Sequence, residues 1–141
     1  MNRLIAPSVL VTALIAALPA RAEFAEGFKS PTGNITCNYM EGSSGFPTTL
    51  RCDILRKTSK SPPRPRDCQF DYGNAFELTK TSRGTYGCIS DTILGPDYRV
   101  LPYGQVWSKD GFICFSAESG VTCRNDRGGG FEISRAKQRV F

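Results

Sequence analysis

Beyond its leader the chain does not repeat apolar side chains at a helical period; it alternates them with polar ones. "NITCNYM", "TTLRCDI", "AFELT", "TYGCIS", "GQVWS" and "GFEIS" are short runs rich in Ile, Val, Thr, Tyr and Phe, each bounded by Gly, Pro, Asn, Asp or Ser. That pattern predicts strands. In "GFICFSAESGVTC" a β-favouring run from Gly111, polar turn residues and a second run from Gly120 predict a hairpin. A two-residue loop at Glu118 and Ser119 sets Ala117 opposite Gly120 and, counting outward, Cys114 opposite Cys123. That pair then falls at a non-hydrogen-bonded position, where side chains approach closely enough for a cross-strand disulfide. A one-residue slip would send the two sulfurs to opposite faces. The expectation is an all-β domain, a small disulfide-stapled sandwich or barrel of about eight short strands. "SRAKQR" admits a brief C-terminal helix with Ser134 as its cap. "SPTGNITCN" and "SAESGVTCRN" echo each other, as two uses of one turn-strand solution would.

The leader decides what the cysteines mean. Arg3, an apolar stretch from Leu4 to Leu18, and the small-x-small site Ala20-Arg21-Ala22 have the layout of a secretory signal cleaved near Ala22. The apolar stretch is shorter than the ~20 residues of a spanning helix, so no transmembrane anchor is expected. No cysteine sits at the cleavage site to take a lipid. The expected organisation is a signal over 1–22 and a single disulfide-bonded domain over 23–141, periplasmic or secreted. All six cysteines, Cys37, Cys52, Cys68, Cys88, Cys114 and Cys123, fall in the exported part, and the chain has no histidine. Without C-x-x-C pairs or histidine a zinc site is not expected, and an oxidising compartment favours three disulfides. Spacing leaves the pairing of Cys37, Cys52, Cys68 and Cys88 open. The sequential choice, Cys37 with Cys52 and Cys68 with Cys88, follows only from each pair bracketing a strand-loop-strand unit.

The whole chain carries a formal charge of +5, and Arg3 and Arg21 leave with the signal. The remainder is too weakly basic to argue a nucleic-acid partner, so the distribution matters more. In "RKTSKSPPRPRDC" the cations Arg56, Lys57, Lys60, Arg64 and Arg66 are interleaved with Pro62, Pro63 and Pro65, which favour an extended strip that displays charge to solvent. Such a strip suits an anionic envelope polymer or the acidic face of a periplasmic protein; its bland counterpart is a solvated linker tied down by Cys68. Tyr72, Tyr98, Tyr103 and Trp107 offer either a contact face or core. "RNDRGGGFEISR" raises the question of an anion cradle. Such a cradle needs a helix behind its glycines, whereas Gly128, Gly129 and Gly130 lead into an alternating run. They are read as a turn, with Arg124 and Arg127 able to catch an anion at its rim.

Catalysis is poorly supported. There is no histidine to serve as general base, and cysteines in disulfides are not nucleophiles. Asp53, Asp91 and Glu118 remain as carboxylates for a hydrolase, but no catalytic residue is assigned. Asp91 reads equally as a turn residue assisted by Thr92, and Asp53, between Arg51 and Arg56, as a surface ion-pair partner. Calcium loops are missing, and no cofactor or metal is expected. Asn34-Ile35-Thr36 matches a glycosylation acceptor, relevant only in a eukaryotic secretory route.

"FKSPTGNITC", "RCDI", "PPRPRDC", Cys88 with Asp91 and Thr92, "LPYG", then "GVTCRN" and "GGFEISR" occur in that order. From about Phe28 to the C-terminus the chain resembles a family of small exported bacterial six-cysteine proteins classed only as a domain of unknown function, DUF6636. The resemblance implies a secreted or periplasmic, disulfide-bonded β domain with no assigned activity. The family often has Gly-His-Gly where this chain has Gly128-Gly129-Gly130, and many relatives have a tryptophan where it has "TSKS". Any histidine-based role, and a stacked aromatic before the prolines, are therefore not expected here. Two functional classes remain besides an enzyme: a non-catalytic binding module of the cell envelope, and a structural envelope protein whose partners use its sheet edges.

Overall fold

The computed structural model describes residues 26–95 and 97–141; the expected signal segment, 1–22, lies outside the described residues. The domain is all-β, built from two antiparallel five-stranded meanders in succession. The first joins β1 (Gly27–Lys29), β2 (Ile35–Met40), β3 (Thr49–Ile54), β4 (Asp71–Thr79) and β5 (Thr85–Ile89). The second joins β6 (Val106–Lys109), β7 (Phe112–Ala117), β8 (Gly120–Asn125), β9 (Gly130–Ile133) and β10 (Gln138–Val140). The sheets lie face to face without closing into a barrel.

One row of register partners organises each inner face. Phe28, Cys37, Cys52, Phe76 and Tyr86 follow one another across the first sheet; Trp107, Cys114, Cys123, Phe131 and Val140 do so across the second. Each inner residue meets the strand five places later in the chain. Phe28 packs on Trp107 at 5.7 Å between ring centroids, Tyr39 on Phe112 at 6.2 Å and Phe76 on Phe131 at 5.9 Å. At the centre Cys52 Sγ and Cys123 Sγ are 4.0 Å apart. Two disulfides, Cys37–Cys52 and Cys114–Cys123, thus stack in the middle of the core, with Cα–Cα distances of 4.0 and 4.1 Å. Those separations belong to non-hydrogen-bonded cross-strand pairs. The third bridge, Cys68–Cys88, closes the β3–β4 connection onto β5.

Two elements differ from the sequence expectation. There are ten strands among the described residues rather than about eight, because the three-residue β1 and β10 are added at the edges. The C-terminal helix is absent: Ser134 Oγ accepts the amide of Lys137, and Ser134 N donates to Lys137 O. The hydroxyl read as a helix cap instead closes a tight turn that sends Gln138–Val140 back along β9, where Arg139 forms a two-pronged pair with Glu132. The β6–β7 connection is a two-residue hairpin in which Asp110 and Gly111 both take positive φ, 48° and 85°, as its primed turn requires. No helix among the described residues is long and apolar enough to cross a membrane.

Candidate functional site

The basic, proline-rich connection runs from Leu55 to Phe70 between β3 and β4 as an extended strap without strand or helix. Its ends are fastened. Lys57 Nζ donates to Ser61 Oγ at 2.8 Å and also to the carbonyl of Gly73; Thr58 N donates to Arg135 O at 2.7 Å; Ser59 Oγ donates to Gln138 Oε1. The strap crosses β4 where its ladder with β5 is irregular. Gly73, at φ 96°, leaves room that a Cβ would fill, 2.8 Å from Ser61. Partial burial pushes the Lys57 ammonium's pKa down, with Asp71 opposing. Lys57 is therefore a fastening, and Arg56 is bound through its backbone to both ends of the Asn34 amide. Lys60, Arg64 and Arg66 are exposed, and their head groups have no acidic partner among the described residues. The Asn34 side chain is buried and consumed by these bonds, which argues against its serving as a glycan acceptor.

The glycine loop is a structural corner. Asn125, buried at the end of β8, donates from Nδ2 to Thr79 O and Ser82 O, both at 2.8 Å, and accepts on Oδ1 from Arg127 N and Gly129 N. Gly128 N donates to Asn125 O and Gly130 N to Phe141 O. The amides an anion would need are already committed. A Cβ at Gly129 would sit 2.2 Å from Ser82 O, so the loop packs directly on the β4–β5 turn. Arg124 lies on the outer face of β8 over the Phe141 ring at 5.1 Å, and Arg127 stands exposed at the turn.

The carboxylates are dispersed. Asp53 is 2% exposed on the outer side of β3, not the surface partner expected from sequence, because the segment after β5 covers it. Arg51 Nε and Nη2 donate to its two oxygens at 2.8 and 2.9 Å, and Thr92 Oγ1 and Ile93 N donate to Oδ2. Burial disfavours the Arg51 charge, but hydrogen bonding and attraction from Asp53, aided by Glu77 and Asp91, outweigh it and raise the pKa. Asp91 is exposed, 4.0 Å from Arg51, and its carbonyl accepts from Arg51 Nη2. Glu118 belongs to the separate β7–β8 turn. A cluster that the residue types did not announce joins Tyr39, Lys80 and Asp110. Lys80 Nζ and the Tyr39 hydroxyl both donate to the Asp110 carboxylate, at 2.7 and 3.1 Å, and hold its pKa below the ordinary 3.8.

Of the aromatics that could have made either a contact face or core, Trp107 is core, Tyr72 packs on Tyr86, Tyr98 is half-buried, and Tyr103 is exposed. The sulfurs of Cys37, Cys52 and Cys123 lie within 4.8 Å of one another. Being disulfide-bonded, they offer no thiolate to a metal.

No curated protein and no solved structure matches this chain significantly. A family model described as a family of unknown function, DUF6636, matches residues 8–141, and the chain therefore belongs to that family.

Proposed function

We propose that the protein is a non-catalytic binding module of the bacterial envelope that holds an anionic polymer along its strap. The carrying observation is the set of three exposed cations, Lys60, Arg64 and Arg66, on a segment fastened at both ends and lacking acidic partners among the described residues. An extended strip kept in one place loses little freedom when it binds, and the intervening prolines already hold its charges apart in solvent. Arginine adds planar donors suited to phosphate and carboxylate groups. The three disulfides agree with an exported, oxidising setting.

The test is retention of the exported protein on lipopolysaccharide-coated beads under a salt gradient. The reading expects salt-sensitive retention that falls sharply in the double variant Arg64→Gln/Arg66→Gln, whose thermal midpoint stays that of the wild type. Equal retention of variant and wild type, or none at physiological salt, overturns it.

A further inference from the structure

At one end of the sandwich, away from the strap's prolines, the turns of both sheets surround a cleft of about 430 Å³. The β1–β2 turn, the start of the strap just after β3, the turn before β6, the β7–β8 turn and the β9–β10 turn all reach it. That volume falls in the range of ~300–1,000 Å³ found for small-ligand sites.

Three features define its chemistry. Arg56 and Arg135 both line it, from the β3–β4 and β9–β10 connections, and among the described residues neither guanidinium has an ion-pair or hydrogen-bond partner; Glu118 is the one acid of the lining. Tyr103 presents a ring that is 42% exposed. The remaining lining is small and largely hydroxyl- or amide-bearing, with Ile35 buried beneath.

The walls are held in place. Gly104, at φ 81°, and the bond from Gln105 N to Pro102 O make a tight turn that presents Tyr103. That turn is tied to β7 by Gly104 N to Ser116 O and Ser116 N to Gln105 O. Asn34 clamps the backbone of Arg56 from both sides at 2.9 Å, and Thr58 N holds the carbonyl of Arg135. Two arginines held at their backbones, lining one cleft with Tyr103 and several hydroxyls, fit a ligand that joins a carboxylate to a polyhydroxylated ring with an apolar face. The arginines take the carboxylate, the hydroxyl-bearing lining exchanges hydrogen bonds with ring hydroxyls, and the tyrosine covers the C–H face.

We infer that this cleft is a binding site for an acidic saccharide unit, a sugar ring bearing a carboxylate. It does not depend on the strap reading, because Lys60, Arg64 and Arg66 do not line it.

The experiment is titration of the exported protein, followed by calorimetry and amide NMR, with a trimer of galacturonic acid, its methyl ester, N-acetylmuramic acid, and a tripeptide with a free C-terminal carboxylate. At least one of the two acidic sugars binds, with shifts at residues 103 and 118–120. The ester of a binding trimer binds about tenfold or more weakly, and Arg56→Gln or Arg135→Gln each weakens sugar binding about tenfold. Tyr103→Ala also weakens it. The inference is overturned if neither acidic sugar binds, if the arginine variants bind as wild type does while keeping its thermal midpoint, or if the peptide carboxylate binds as tightly as the sugars. An ester equal to its acid likewise overturns it.

Discussion

Asn125 links the two meanders through one side chain, so its removal has a cost that can be worked from the structure. Alanine there deletes two bonds to carbonyls of the β4–β5 turn and two from amides of the glycine loop. Each lost bond is worth about 0.5–1.5 kcal/mol net, and a buried donor left bare costs about 1–3 kcal/mol. Arg127 is exposed, so its amide regains water; Gly129 is buried, so its amide does not. With the Arg127 bond set aside, three lost bonds and one bare buried amide sum to a loss of about 3–7 kcal/mol, a large part of the ~5–15 kcal/mol typical of a domain. Asn125→Asp separates hydrogen bonding from shape. It keeps an acceptor for the loop amides but sets a carboxylate against Thr79 O and Ser82 O, which favours the protonated form in the folded state. With its folded pKa raised, the variant keeps its stability below the ordinary carboxylate value of about 3.9 and loses it as pH rises through the folded value. The assay is urea unfolding with disulfides intact, followed by the fluorescence of Trp107, the one tryptophan of the chain and a core residue. A loss below about 1 kcal/mol for Asn125→Ala, or a pH-independent deficit for Asn125→Asp, would refute the reasoning.

Other outcomes follow from the same geometry. Arg51→Met strands the buried Asp53 carboxylate and should cost about 3–5 kcal/mol, while Arg51→Met/Asp53→Leu recovers much of it, as denaturant curves would show. Ser116 Oγ is the buried side-chain atom without a hydrogen bond among the described residues; Ser116→Ala should leave stability unchanged or raise it by up to about 1 kcal/mol. Asp110 and Glu132 both have depressed pKa values, through Lys80 and Tyr39 in the first case and Arg139 in the second. Their contributions are present above the ordinary carboxylate range and disappear as pH falls through the folded values. A plot of thermal midpoint against pH should therefore decline more shallowly at the acid end in Asp110→Asn. Cys68→Ser/Cys88→Ser should free the strap, reducing polyanion retention while the core bridges keep both sheets folded by circular dichroism.

The hairpin register was legible because two cysteines at hairpin spacing admit one pairing that puts both sulfurs on one face; Ala117 does lie opposite Gly120 and Cys114 opposite Cys123. Alternation likewise exposed the interior strands. The edges were not legible. β1 is too short to show a period, and the charged run from Ser134 to Arg139 suits a helix until the Ser134 turn brings β10 beside β9. Arg51 and Asp53 share the face opposite Cys52, and only the segment after β5, distant in sequence, turns that face into a buried one. Asn125 sits between charged neighbours and reads as an ordinary turn residue, since both its acceptors lie on another sheet. Asp110-Gly111 was a signal in plain view, because Asp-Gly between alternating runs marks a primed hairpin. The end cleft assembles residues from five separate connections, a convergence no local pattern announces.

The stacked core bridges carry the fold that positions both the strap and the cleft, and peptide mapping of the unreduced native protein by mass spectrometry tests them most directly. Linked peptides should join Cys37 to Cys52, Cys68 to Cys88, and Cys114 to Cys123. A Cys52–Cys123 link between the facing sheets, or free thiols at these positions in the native protein, would contradict the account.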